Sequence, residues 1–509
     1  MKLKSIDVKP ASFCGGLLVF AAMMLMPTPE GMNPAAWKVA AVTALMAIWW
    51  IAEAIPIPAT GLIPIFLFPL LGILPAKQAA APYADDVIYL FMGGFFLAVT
   101  MEKWNLHRRV ALNTIKLVGA SPTRLVLGFM VSTAFLSMWV SNSATAMMMV
   151  PIGLAVVAEV TGLTPAQIKA KSGISGQSDL NFGRALMLGI AYGASIGGVA
   201  TIIGTPPNAI LVAQIKAIFG YNITFLDWFL VGFPLALVTL FATWWILATF
   251  LFPTANFRMG DAESVIDEEI RKLGPVGVAE KSILFVSACM AITWIVGGFV
   301  FKHFEPTRMI TDSTVAIGGA MLFFAWPVDL KKGQFLLDWK TAVKIPWDVV
   351  LLFGGGLAIA NGFQKTQLTQ YIALQFQALA GLHVYVLLTL IVVFTIALTE
   401  VTSNTATATL LVPIMGSVAL AMGINPIGPM VAAAIAASYA FMLPVATPPN
   451  AVAYGSGCFN IRDMALAGLW INLASFIIIP IALYLLIPLF WGENLLGLPE
   501  WARNLPAAK

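Results

Sequence analysis

The stretch "SNSATAMMMVP" occupies residues 141–151, and the stretch "SNTATATLLVP" occupies residues 403–413. Seven of the eleven aligned residues are identical, and the two stretches lie 262 residues apart. Each has a polar tip, Ser-Asn-Ser or Ser-Asn-Thr, inside strongly apolar sequence, and each has a proline soon after the tip. Inside a bilayer, such polar groups need protein or water around them. The pattern therefore predicts a helical hairpin that enters the membrane and returns to the same side.

Further matches extend this repetition in the same order along the chain. The sequence "DVIYLFMGGFFLA" (86–98) aligns with "DVVLLFGGGLAIA" (348–360), again 262 residues later. The sequence "GTPPNA" (204–209) aligns with "ATPPNA" (446–451), at an offset of 242, because the first copy contains a polar insert at about 164–183. Ordered matches of this kind indicate an internal duplication.

The composition places the duplication in a membrane. Of the 509 residues, 60% are hydrophobic and only 10% are charged, whereas soluble domains have about 25% charged residues. Apolar segments long enough to cross a hydrocarbon core of about 30 Å recur throughout. The prediction is an all-α polytopic membrane protein with 11 transmembrane helices and two re-entrant hairpins. The predicted spans are about 13–27, 39–57, 59–75, 86–103, 184–215, 225–252, 281–301, 311–326, 346–363, 429–458 and 464–490, with hairpins at about 125–158 and 384–421.

The distribution of basic residues predicts how the two copies are oriented. If the hairpins do not cross, each copy has five crossings, so the second copy enters from the opposite face as an inverted repeat. Five Lys and Arg residues lie between 103 and 124, whereas the matching part of the second copy has only Lys365. Basic residues favour the cytoplasmic side. This asymmetry supports inversion, with the N-terminus in the cytoplasm and an amphipathic basic helix at about 103–116 on the inner membrane surface.

The duplicated motifs carry the chemistry of a transport site. A hairpin tip offers helix C-terminal carbonyls, which suit a small cation, and helix N-terminal amides, which suit a carboxylate. Pro206-Pro207 and Pro448-Pro449 remove backbone donors, so each interrupts its span and frees carbonyl groups. Two hairpin tips and two broken helices at corresponding positions of two halves indicate a transporter's midplane binding site.

Other residue patterns argue against different functions. The three histidines and three cysteines are scattered, and no acid, base or metal cluster is evident, so we expect no enzyme activity and no organic cofactor. The net charge of +4 gives no indication of a nucleic-acid partner. Glu400 lies four residues before Asn404, where it could carry a proton or act as a partnered structural carboxylate.

The paired Ser-Asn-Thr-like and Thr-Pro-Pro-Asn motifs, with "WWIAEAIPIPATGLIPI" (49–65), resemble the divalent anion/sodium symporter family, which includes the INDY dicarboxylate and citrate transporters. The resemblance extends from about residue 36 to 490. It implies Na⁺-coupled uptake of C4 dicarboxylates such as succinate, malate and fumarate across the cell membrane. It also implies a homodimer in the lipid bilayer, in which a transport domain moves against a scaffold by an elevator mechanism. A sodium-independent dicarboxylate or citrate exchanger of the same fold is the alternative.

The resemblance also implies which residues bind the ions and the substrate. The proposed Na⁺ ligands are Ser137, Ser141, Asn142 and Gly204 in the first copy and Thr399, Thr402, Asn404 and Ala446 in the second. The proposed substrate-binding residues are Asn142, Ser143, Thr205, Pro206, Asn404, Thr405, Thr447 and Pro448. Ser143 departs from the family's usual threonine: it keeps the hydroxyl and loses a methyl group, which bears on substrate preference.

A division into domains follows from the same resemblance. Scaffold segments are expected at 1–123 and 281–383, and the two halves of the transport domain at 124–255 and 384–490. A cytoplasmic linker (256–280) joins the copies, and a C-terminal tail occupies 491–509.

Overall fold

The computed structural model describes residues 8–118, 121–172, 180–254, 262–300, 307, 309–375 and 381–503. These residues are almost entirely helical, which confirms the predicted all-α membrane fold. In this part of the chain the sheet structure is one short antiparallel pair, β1 (Pro327–Asp329) and β2 (Gln334–Phe335).

The first copy of the duplication is contained in thirteen of the described α-helices. Their bounds are α1 Val8–Leu25, α2 Pro34–Ala52, α3 Ile57–Thr60, α4 Ile63–Leu70, α5 Ala76–Ala80, α6 Asp86–Lys103, α7 Leu106–Val118, α8 Pro122–Ser137, α9 Asn142–Thr161, α10 Pro165–Ser172, α11 Asn181–Val199, α12 Pro206–Phe219 and α13 Phe225–Trp245. A 3₁₀ turn at Ala81–Ala84 precedes α6, and a π-helical segment at Ile246–Leu251 extends α13.

The second copy follows a short connecting helix, α14, in the described part of the chain. The bounds are α14 Ala262–Lys272, α15 Val278–Val300, α16 Asp312–Ala325, α17 Trp339–Ala342, α18 Trp347–Thr366, α19 Leu368–Gln375, α20 Val384–Thr399, α21 Asn404–Met422, α22 Ile427–Ala436, α23 Pro448–Gly455, α24 Ile461–Leu486 and α25 Glu500–Arg503. A 3₁₀ turn at Leu330–Lys332 lies between the strands, and a π-helical segment at Ile487–Trp491 extends α24.

The helix boundaries repeat the sequence duplication. The pairs α7 and α19, α8 and α20, and α9 and α21 each begin 262 residues apart, and α12 and α23 begin 242 residues apart. Local signals set these boundaries. Ser121 caps α8 by accepting from Arg124 N, and Pro122 occupies the first helical position. Gly162 and Gly423, in the left-handed conformation, end the second arms of the two hairpins.

The broken helices lie at the centre of the molecule. Every residue of α11 from Phe182 to Val199 is buried, and so is every residue of α22. The exterior differs: α13 and α24 expose large apolar side chains, among them Phe241 and Trp470. Exposed apolar surface of this extent is typical of helices that contact lipid or another protein. The broken helices therefore sit inside an apolar shell.

The lengths of the described helices do not decide how many of them cross the membrane, so the predicted number of 11 spans stays a prediction. Eight helices in the described residues are long and apolar enough to cross a membrane, and they include the hairpin arms Asn142–Thr161 and Asn404–Met422. Length therefore does not distinguish a re-entrant arm from a crossing helix. The span predicted at 59–75 is different: it folds as two short helices, α3 and α4. Pro58 and Pro64 each lie in the first turn of one of them, a position that starts a helix and does not continue the one before.

The predicted basic helix is present as α7, and its cations are engaged by the linker. Arg109 Nε lies 2.6 Å from Glu280 Oε1, and Lys116 Nζ lies 2.6 Å from Asp267 Oδ1. Arg108 is paired with Glu269. Asp267 and Glu269 belong to α14 and Glu280 lies near the start of α15, so acidic residues of the linker pair with α7 at these three positions. The position of α7 on the inner membrane surface stays a prediction.

Candidate functional site

The first hairpin tip joins the C-terminus of α8 to the N-terminus of α9. Ser137 is fully buried, and its Oγ lies 2.5 Å from Asn142 Oδ1. Ser141 caps α9, since its Oγ accepts from Ala144 N at 3.3 Å. The tip thus places a buried hydroxyl and an amide side chain side by side.

Backbone carbonyls of the first broken helix complete a cluster of oxygens around Asn142. The Oδ1 position of this side chain lies 3.2 Å from the Ala194 carbonyl oxygen and 3.3 Å from the Gly204 carbonyl oxygen. Carbonyl oxygens cannot donate to Oδ1, so the four oxygens share a single hydroxyl proton. Two arrangements relieve this: the amide turns over, so that its two N–H groups face the neighbouring oxygens, or a small cation lies among the oxygens.

The second hairpin tip repeats this geometry with a threonine. The Thr399 Oγ1 lies 2.7 Å from Asn404 Oδ1 and 2.9 Å from the Ala437 carbonyl oxygen. The Thr402 hydroxyl is engaged elsewhere: it donates to the Leu398 carbonyl oxygen at 2.8 Å and lies 2.7 Å from Thr407 Oγ1. Of the predicted second set, Thr399 and Asn404 are in direct contact, whereas the Thr402 side chain binds within the hairpin.

The Thr-Pro-Pro-Asn motifs break their helices where the prolines require it. Thr205 (φ −145°, ψ 142°) and Thr447 (φ −142°, ψ 150°) are extended, as residues before proline prefer. The second half-helix starts at Pro206 in one copy and at Pro448 in the other. Each break therefore ends one helix and presents the N-terminus of another.

One cavity of about 1020 Å³ brings the four motifs together. All eight predicted substrate-binding residues line it: Asn142, Ser143, Thr205, Pro206, Asn404, Thr405, Thr447 and Pro448. Among them are the first residues of α9, α12, α21 and α23. A helix N-terminus carries roughly half a positive charge and unpaired N–H groups. Four positive helix ends therefore surround one cavity, and α9 and α21 also offer N–H groups there, whereas the prolines that open α12 and α23 offer none. This arrangement makes the cavity suitable for an anion with more than one carboxylate.

The predicted sodium ligands are divided between the cavity wall and the layer behind it. Ser141, Asn142, Gly204, Thr402, Asn404 and Ala446 line the cavity. Ser137 and Thr399 are fully buried behind the tips, where each contacts the asparagine of its own tip.

Charged side chains also reach this cavity, away from the motifs. Lys9 and Lys344 line it together with Glu53, Glu102 and Asp348. They come from the start of α1, the end of α2, the end of α6 and the segment around the start of α18. The cavity therefore extends from the uncharged motif region to helix ends that carry charges of both signs.

Glu400 binds the second break directly. Its carboxylate accepts from Phe441 N at 2.8 Å, from Met442 N at 3.0 Å and from Asn472 Nδ2 at 2.9 Å. These contacts are those of a partnered structural carboxylate, one of the two roles considered from the sequence.

Some contributors to the site gave no usable sequence signal. The Ala194 carbonyl belongs to an apolar helix, and because every residue has a backbone carbonyl, the sequence does not indicate which one takes part in a site. Asn208 and Asn450 were visible as the last letter of Thr-Pro-Pro-Asn, yet the sequence indicated only that a helix begins near them. Their duplication together with the prolines was the signal that could have identified them.

Comparison with known proteins identifies the family. Residues 10–498 match the family model described as the sodium:sulfate symporter transmembrane region. The chain is 40% identical over 474 residues to the sodium-dependent dicarboxylate transporter SdcS of Staphylococcus saprophyticus, covering 93% of this chain and 90% of that protein. It is 42% identical over 484 residues to SdcS of Staphylococcus aureus strain USA300, covering 94% and 91%.

Solved structures support the fold alone. The YdaH transporter of Alcanivorax borkumensis superposes with a TM-score of 0.56 at 14% identity, covering 90% of this chain and 99% of that one. MtrF of Neisseria gonorrhoeae gives a TM-score of 0.55 at 13% identity, covering 94% and 95%. The chain is thus a multi-pass membrane transporter and not an enzyme, and it belongs to the sodium:sulfate symporter family, the divalent anion/sodium symporters that its paired motifs predicted.

Proposed function

We propose that this chain couples Na⁺ movement to the uptake of divalent organic anions, with C4 dicarboxylates such as succinate, malate and fumarate as substrates. The observation that carries the proposal is the single cavity lined by both hairpin tips and by both Thr-Pro-Pro-Asn motifs. The SdcS proteins, which are named as sodium-dependent dicarboxylate transporters, support the choice of ion and substrate class.

The coupling follows from shared residues. Asn142 takes part in an oxygen cluster suited to a cation and also lines the anion cavity. In the second copy, Asn404 contacts the Thr399 hydroxyl and lines the same cavity. The four motifs contain no Lys or Arg. A dicarboxylate therefore depends on the helix N-termini, on hydroxyl and amide donors, and on the charge of Na⁺ bound beside it. Loss of Na⁺ on the cytoplasmic side then weakens the anion site.

Transport by this site requires the cavity to face each side in turn. We infer an elevator motion of the two hairpins and broken helices (124–255 and 384–490) against a scaffold (1–123 and 281–383), in a homodimer. The state described here is open to the cytoplasm on this proposal, because the cavity reaches Lys9 at the start of α1 and Glu102 at the end of α6. Both lie on the face that the basic residues assign to the cytoplasm.

Uptake of radiolabelled succinate into proteoliposomes, with and without an inward Na⁺ gradient, tests the proposal. We expect accumulation only with Na⁺, and loss of accumulation in Asn142→Ala and Asn404→Ala. Asn425→Ala is the control: Asn425 is a fully buried asparagine that binds Glu493 and the Asn494 carbonyl outside the cavity. Equal uptake without Na⁺, driven by internal dicarboxylate, would establish the exchanger instead.

A further inference from the structure

The asparagines that end the two Thr-Pro-Pro-Asn motifs make the same contacts in both copies. Asn208 Nδ2 lies 2.7 Å from the Thr201 carbonyl oxygen, 3.2 Å from that of Gly198 and 3.3 Å from that of Val199. The side chain is fully buried. Its amide therefore ties together the end of α11 and the loop that follows.

In the second copy, Asn450 Nδ2 lies 3.0 Å from the carbonyl oxygens of both Ala440 and Leu443. This side chain is also fully buried. Ala440 and Leu443 lie 242 residues after Gly198 and Thr201, the same offset that separates the two asparagines. Two copies that differ in many of the surrounding residues thus keep one contact pattern.

The prolines explain why a side-chain donor is needed there. The last carbonyls of a helix have no partner within the helix. In both copies the two prolines that open the next half-helix have no N–H to offer, so its first turn cannot satisfy the preceding loop. An asparagine one residue later supplies two N–H groups from its side chain. It occupies the carbonyls of the helix end and the loop, while Gly204 and Ala446 line the cavity.

Gly198 connects this contact to the first hairpin tip. A Cβ atom at Gly198 would lie 2.7 Å from Asn142 Oδ1 and 3.1 Å from the Gly204 carbonyl oxygen. The backbone held by Asn208 is therefore packed directly against two predicted Na⁺ ligands. A small displacement of this backbone moves the oxygen cluster.

We propose that Asn208 and Asn450 are positioning residues for the two Na⁺ sites. Each holds its break in the shape that directs the Gly204 or Ala446 carbonyl toward the neighbouring tip. This assignment rests on the proposed Na⁺-coupled function. It predicts that removal of either amide weakens Na⁺ binding without removing a ligand, because buried carbonyls without donors rearrange the loop.

The test is a Na⁺ titration of succinate uptake by the full-length protein, with Asn208→Ala and Asn450→Ala. We expect the half-saturating Na⁺ concentration to rise about tenfold in each, the size expected from losing one buried hydrogen-bond partner. The Na⁺-dependent rise in melting temperature in detergent should shrink in parallel, which gives a readout without transport. Asn208→Ser and Asn450→Ser, which keep a polar group, serve if an alanine variant does not fold.

Gln214→Ala is the matched control. Gln214 is fully buried on the same helix as Asn208, and its Nε2 donates at 3.1 Å to the carbonyl oxygen of Thr409, in the second arm of the second hairpin and not at either helix break. It should lower the amount of folded protein without changing the half-saturating Na⁺ concentration. If Asn208 and Asn450 variants behave like this control, the assignment is wrong. Sodium-independent uptake by the unaltered protein would overturn the proposed function and this assignment together.

Discussion

Gly204→Ala converts the first broken helix to the sequence of the second, "ATPPN", and tests how tightly the first oxygen cluster is built. A Cβ atom at Gly204 would contact the Gly198 carbonyl oxygen and would lie 2.9 Å from the Gly198 Cα and 3.0 Å from its carbonyl carbon. The Gly204 backbone is outside the left-handed region, so alanine is allowed there conformationally. The cost is therefore steric and falls on backbone atoms.

The expected size follows from overpacking. Inserting a methyl group where backbone must move costs about 1–3 kcal/mol. If that cost is borne by the Na⁺-bound arrangement, in which Gly204 and Asn142 must stay close, Na⁺ affinity falls about 5- to 150-fold, since 1.4 kcal/mol is a factor of ten. The second copy already holds Ala446 and Ala440 at these positions. The reverse change there, Ala446→Gly, only removes a methyl group, and we expect less than a threefold effect.

Succinate uptake into proteoliposomes across a Na⁺ series measures this directly, and thermal melting with and without Na⁺ separates binding from folding. The reasoning requires a shifted half-saturating Na⁺ concentration for Gly204→Ala and a nearly normal one for Ala446→Gly. If Gly204→Ala titrates normally with Na⁺, then the contact between Gly198 and Gly204 does not support the first site, and the cluster around Asn142 must be assigned differently.

Two further perturbations test the surroundings of the site. Asp86 Oδ1 lies 2.5 Å from Lys216 Nζ, so this ion pair joins a predicted scaffold helix to a predicted transport helix. Because the pair is partly exposed, Asp86→Asn should alter the maximal uptake rate by no more than about fivefold. A changed KM for succinate would contradict a role of the pair between the two domains and outside the substrate site. The Lys103 ammonium lowers the pKa of Asp338 to about 2, so this pair stabilises the fold above about pH 4 and loses its effect as the pH falls toward 2. Because Asp338 is half-exposed, Asp338→Asn should lower the free energy of unfolding at pH 7 by about 1 kcal/mol or less, which is measured as a slightly lower melting temperature. The melting temperatures of the two proteins should converge in acid. A difference that stays constant with pH would exclude the ion pair as its cause.

Local sequence signals predicted most of the helix pattern. The second half-helix of each break begins at the Thr-Pro-Pro motif, because prolines act on their own turn of the chain. The first hairpin, predicted from about 125, begins at Pro122 after the Ser121 cap. A motif that occurs in both copies supports the prediction of a helix boundary more strongly than a motif that occurs once, because the same boundary is specified twice. The motif side chains could also be predicted to meet in one cavity, as duplication implies equivalent positions.

Tertiary features could not be predicted in this way. Nothing in a run of apolar letters indicates that the Ala194 carbonyl faces Asn142, because backbone oxygens look alike in sequence. The segment 59–75 is apolar enough to suggest a span, yet its prolines divide it into two short helices. Two cations of α7, Arg108 and Lys116, pair with acidic residues of α14 that lie more than 140 positions later in the chain. Pairing across that distance depends on the whole fold.

The two copies differ where the duplication would otherwise make the Na⁺ sites equivalent. The first break has Gly198 and Gly204 in backbone contact, whereas the second has alanines at both positions. Glu400, next to Thr399, corresponds to Met138 in the first copy, so a buried carboxylate accompanies only the second site. A negative charge nearby favours a cation more strongly in a low-dielectric interior than in water. We therefore expect the second site to bind Na⁺ first, and its charge to assist closure of the tighter first site around the second ion and the anion.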